Sequence, residues 1–75
     1  MLTVYDIPRK NITKVLVEMM KEHDISSKMI SMDEVLDHWE QQYPCHDGVY
    51  CVSETNMRKF VEFLLGIIKQ RFLIP

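Results

Sequence analysis

Thiolate and imidazole are the usual ligands of zinc, and four of them fall close together as His38, Cys45, His46 and Cys51. Their order, His38-x6-Cys45-His46-x4-Cys51, lacks the close ligand pairs of structural zinc motifs. Adjacent Cys45 and His46 in a strand would also point to opposite faces. The stretch is therefore predicted to bind no metal, with Cys45 or Cys51 packing as a small hydrophobe. His23-Asp24 and His46-Asp47 could serve acid-base or metal chemistry, but each is a lone dipeptide at an element boundary, where turn chemistry explains it better. Only Gly48 and Gly66 are glycines, too few for a phosphate-cradling loop, and no nucleophile is flanked by a recognisable motif. The expectation is no catalytic residue, no cofactor and a protein that is not an enzyme.

The elements that must position these residues are read from periodicity and caps. Leu2-Thr3-Val4-Tyr5 is β-favouring and predicts a brief edge strand before a turn at Asp6-Ile7-Pro8. From Pro8 or Ile12 to His23, Ile12, Val15, Leu16, Met19 and Met20 repeat with helical period, and Asp6 or Asn11 is the candidate cap. Asp24 to Ile30 is a connector with room for one helical turn over Ser26 to Met29. Ser31-Met32-Asp33-Glu34 fits a capping box in which the Ser31 hydroxyl and the Glu34 carboxylate each accept a backbone amide, with Ile30 stapled to Val35. A helix thus starts at Met32, buries Met32, Val35, Leu36 and Trp39, and ends at Tyr43-Pro44. Asp47-Gly48 between short β-favouring segments predicts a hairpin within Cys45 to Val52. Ser53 then caps a long helix from about Glu54 to Arg71, with Pro75 closing the chain.

That last helix holds most of what the chain can bury. Met57, Phe60, Val61, Leu64, Ile68 and Phe72 form one apolar stripe, while Phe63, Leu65 and Ile67 lie beside or beyond it. A helix this apolar must be covered on two sides, by other helices of its own chain or by a second molecule. Phe63, Gly66 and Ile67 are the candidate self-association residues, and a homodimer is the expected product. Gly66 lowers helix propensity, so it needs a packing reason such as close approach of another backbone. Met19, Met20, Met32 and Met57 read as gap-fillers of a small core.

Length and composition bound the rest. At 75 residues the chain is one domain, residues 1–75, near the small end of what folds independently. Hydrophobic content of 47% with a net charge of -2 argues for a folded globule over a disordered chain. No positive segment precedes an apolar run at the N-terminus, so no signal peptide is expected. No run approaches the roughly 20 apolar residues needed to span a bilayer. Two cysteines without an export signal suit a reducing compartment, a cytoplasm or a nucleus, and no membrane association is expected.

The order helix, helical turn, helix, hairpin, long helix predicts a mostly α domain of three or four helices with a short β-hairpin. That order resembles a winged helix, with the hairpin as wing and Met32 to Gln42 where a recognition helix would stand. Charge separates two functions. Ser31 to Asn56 carries six acidic and no basic residues, whereas Met57 to Pro75 carries four basic and one acidic. Asp33, Glu34, Asp37 and Glu40 form the exposed side of the second helix. They are either a solvated face or a docking surface for a basic protein partner, and a small accessory or regulatory protein acting by protein-protein binding is favoured. The alternative is a nucleic-acid-binding module using Arg9, Lys10, Lys14, Arg58, Lys59, Lys69 and Arg71. An acidic helix in the recognition position would be repelled by phosphates, so nucleic-acid binding is expected to be the weaker.

Overall fold

A computed structural model of the chain describes residues 3–73. Strand β1 (Val4–Pro8) leads through a turn of 3₁₀ helix (Arg9–Asn11) into helix α1 (Ile12–Glu22), followed by α2 (Met32–Gln42), strand β2 (Val49–Ser53) and α3 (Glu54–Leu73). The result is a mostly α domain with one two-stranded antiparallel sheet. Leu2 of the expected edge strand and Pro75 lie outside the described residues.

The serine caps define two helix starts. The Glu34 amide donates to Ser31 Oγ at 3.3 Å, and the Asn56 amide donates to Ser53 Oγ at 3.1 Å. Ile30 and Val35, the two halves of the staple, are both buried. At α1 neither candidate cap is used, because Asp6 lies within β1 and the Asn11 side chain makes no cap hydrogen bond. The 3₁₀ turn ahead of α1 guides the chain into the helix instead. In the connector, the Met29 amide donates to the Ser26 carbonyl at 3.0 Å, closing a single turn there.

The Asp47-Gly48 turn forms with both residues at positive φ, 52° and 73°. Reciprocal backbone bonds of 3.0 Å join His46 and Val49 across it. The ladder stops after this one bridge on the His46 side, where Pro44 has no amide to offer. Instead, β2 pairs along its length with β1, from Val4 opposite Ser53 to Pro8 opposite Val49. Asp6, Ile7 and Pro8, expected as a turn, therefore continue the strand. Their alternation puts Ile7 in the core beside its partner Tyr50, while Asp6 and Pro8 stay exposed at the open edge, where a missing amide is tolerated.

Trp39 is fully buried at the centre, with ring centroids 4.6 Å from Tyr43, 5.1 Å from Phe60 and 5.8 Å from Tyr50. Leu16, Val35 and Leu64 are equally inaccessible, and Met19 and Met20 of α1 are buried beside them. Met32, Leu36, Met57 and Cys45 pack partly buried against this cluster. α3 runs antiparallel to α2. Tyr43 Oη donates to the Asn56 carbonyl at 3.1 Å, the His38 and Phe63 rings meet edge to face at 5.0 Å, and Arg71 reaches Glu34.

α3 ends level with the start of α2, and among the described residues its side turned away from α2 is left uncovered. Phe72, expected on the buried stripe, is 63% exposed, and Leu73 and Leu65 are 69% and 41% exposed. The molecule is elongated. The radius of gyration is 12.7 Å, against roughly 11 Å for a compact chain of this length, and the extents are 43 × 27 × 20 Å.

Candidate functional site

The four carboxylates singled out on α2 divide into two kinds. With about 100° between successive residues, Asp33, Asp37 and Glu40 fall on the side opposite buried Val35 and Trp39. All three are exposed, and none is in an ion pair among the described residues. Glu34 lies on the flank facing α3, where Arg71 holds it through both guanidinium nitrogens, one at 3.0 Å. His38 Nε2 stands 3.6 Å from the same carboxylate. The Arg71 hydrogen bonds hold the Glu34 carboxyl below its ordinary value, and the Glu34 carboxylate raises Arg71 in turn.

Asp33 and Glu34 sit in the first turn of α2, where the helix dipole favours negative charge. Asp37 and Glu40 lie further along, and the last turn contains no basic residue. Glu40 thus faces the negative end of its own helix, an arrangement that costs stability. Arg9 borders the same small recess as Glu40, together with Tyr43, Cys45 and Tyr50, yet forms no ion pair with it. The fold explains two of these charges and leaves Asp37 and Glu40 unexplained.

The basic residues are dispersed. Arg58 is bound to Glu54 at 3.1 Å and Arg71 to Glu34, so two of the seven candidate phosphate contacts are already engaged. Arg9, Lys10 and Lys14 are exposed around the start of α1, near the Gly48 turn to which the Arg9 amide donates at 2.8 Å. Lys69 is exposed on the outer side of α3 near its C-terminal end. Lys59 is exposed on α3 between them.

The self-association residues also separate. Phe63, 39% exposed, lies on the α2-facing flank, stacked on Phe60 at 6.2 Å and against His38. Ile67 is partly buried against the core. Gly66 alone lies on the outer side of α3, and a Cβ there would meet nothing within 4 Å. The close intrachain approach that Gly66 suggested is absent. Sequence periodicity set Leu65 outside the buried stripe but placed Phe72 on it and passed over Leu73, although spacings of seven and one put the three on a common side of a helix.

His38, Cys45, His46 and Cys51 do not converge. His38 faces Phe63, Cys45 packs on the core, His46 flanks the tight turn, and exposed Cys51 stands opposite Asp6 on β1. A hydrogen bond to the Asp6 carboxylate raises the Cys51 thiol above its ordinary value, so the thiolate is disfavoured. Among the described residues no three His, Cys, Asp or Glu side chains are grouped to hold a metal ion. A broad depression of about 670 Å³ lies between α1 and the loop after it, with Lys21 and Asp24 as its ionisable lining residues. Among the described residues no helix is long and apolar enough to cross a membrane.

Comparison with protein families, with curated proteins and with solved structures gave no match. The expected winged-helix likeness is not confirmed, since β2 pairs with β1 and the segment that would be the wing forms a single bridge.

Proposed function

We propose that this protein acts without catalysis, by binding a basic protein partner on the outward face of α2. The observation that carries this reading is the pair Asp37 and Glu40, exposed, unpaired among the described residues, and placed where they do not help their own helix. With Asp33 they form a line of negative charge about 10 Å long. Such a line steers and orients a Lys- or Arg-rich surface. On this reading its role is accessory or regulatory. Nucleic-acid binding is disfavoured because the helix in the recognition position repels phosphate and two of the candidate arginines are committed to glutamates.

The double substitution Asp37→Lys with Glu40→Lys tests this reading. It complements the helix dipole, so the melting temperature should hold or rise. Partners captured by the wild type from native lysate should bind the variant at least about tenfold more weakly, and wild-type affinity should fall as salt is added. A captured partner indifferent to the reversal, or tight and sequence-selective binding of a labelled DNA duplex by the wild type, overturns the assignment.

A further inference from the structure

The outer side of α3 carries a second stripe, distinct from the one that faces the core. Glu62, Leu65, Gly66, Lys69, Phe72 and Leu73 line a shallow groove of about 600 Å³ along it. Its apolar members are the exposed Leu65, Phe72 and Leu73 and the partly buried Ile68. Glycine is among the poorest helix formers, and nothing among the described residues approaches Gly66 closely enough to require it. Neither Glu62 nor Lys69 is in an ion pair among the described residues. Seven residues apart, they are separated by about 10 Å along the axis, too far to pair with each other. The neighbours of Lys69 three and four positions away are Leu65, Gly66, Phe72 and Leu73, all uncharged.

We infer that this face binds the same face of a second copy of the chain, with the two α3 helices antiparallel about a twofold axis between Leu65 and Gly66. In that register Leu65 of one copy lies over Gly66 of the other, so a side chain fills the space left by the missing Cβ. Glu62 lies opposite Lys69. Both relations occur twice by symmetry, which makes the contact self-complementary and closed. Phe72 and Leu73 come to lie over the aliphatic stems of Lys59 and Arg58. A parallel pairing in register would instead set Glu62 beside Glu62 and Lys69 beside Lys69. The charges therefore select the antiparallel arrangement.

This surface is separate from the acidic side of α2, so either assignment can fail alone. One helix from each copy, in contact over roughly 25 Å, makes an interface smaller than the standard size and hence a weak dimer. Sedimentation equilibrium from micromolar to millimolar protein reads the association, with circular dichroism verifying that each variant is folded. The wild type should dimerise reversibly. Glu62→Lys sets lysine against Lys69, and Lys69→Glu sets glutamate against Glu62, so each variant alone should dimerise at least about tenfold more weakly. An equimolar mixture of the two restores both opposite-charge contacts in a heterodimer. The double variant Glu62→Lys with Lys69→Glu restores them in a homodimer. Both should return to near wild-type affinity, a recovery that damage to the fold cannot produce. A wild type that stays monomeric throughout, a dimer indifferent to the single substitutions, or weakening without recovery in the swap overturns the proposal.

Discussion

Arg71 reaches from the last turn of α3 to the first turn of α2 and takes the Glu34 carboxylate with both of its terminal nitrogens. The folded-state pKa of Glu34 is lowered from its ordinary 4.5, chiefly by these hydrogen bonds. A lowered carboxyl pKa stabilises the fold above the unfolded value and ceases to do so as pH falls through the folded one. Arg71 stays charged across that window. Glu34→Gln should therefore melt below the wild type at neutral pH, and the gap should narrow and close as pH drops below about 4.5. Thermal denaturation followed over that range checks it, and a gap that persists in acid assigns the effect to packing. The capping box was half legible from sequence. Ser31 accepts the amide as its position requires, but the Glu34 side chain chose between a backbone amide three residues away and a guanidinium thirty-seven residues away. A bidentate charge-assisted pair is the stronger option, and no local pattern reveals it.

At the level of elements, α2 and α3 were legible because serine caps and a Tyr-Pro stop act through neighbours a few residues off. The sheet was not. Asp47-Gly48 announced its turn correctly, yet the long partner of β2 is β1, with Pro8 opposite Val49 forty-one positions away. Pairing over that distance depends on which edges tertiary packing leaves open, and a window of sequence does not contain that choice. The outer face of α3 was missed for a related reason. Apolar residues around a helix show that it needs cover, but which of them stay uncovered depends on the side against which the other elements pack. Gly66→Ala tests what the glycine is for. With open space at the Cβ, alanine should stabilise the folded monomer by up to about 1 kcal/mol in urea denaturation. It should simultaneously weaken the dimer by filling the space meant for Leu65 of the other copy. Stabilisation with no change in association removes Gly66 from the interface.

For the molecule as a whole, stability concentrates where α2, α3 and β2 meet at Trp39. A domain of 75 residues has about 4–11 kcal/mol in total. Phe60 is fully buried in the cluster against Trp39 and Tyr43, and truncating such a ring costs about 3–5 kcal/mol. Phe60→Ala should leave a large fraction unfolded without denaturant. The single tryptophan reports this directly, because its buried indole emission should shift to the red in step with loss of helix. A fully folded Phe60→Ala would mean that the core collapses around the gap. The long reach between the strands has a further consequence during synthesis. β1 is made before its partner, and forty-five positions separate Pro8 from Ser53 at the end of that partner. At about 5–20 residues per second, that is a wait of roughly 2–9 s. Through this interval, while α1 and α2 are being made, β1 is a strand without its mate. An exposed charge at Asp6 and a missing amide at Pro8 make such a strand a poor template for pairing with a neighbouring nascent chain. They guard the molecule before it has a fold to stabilise.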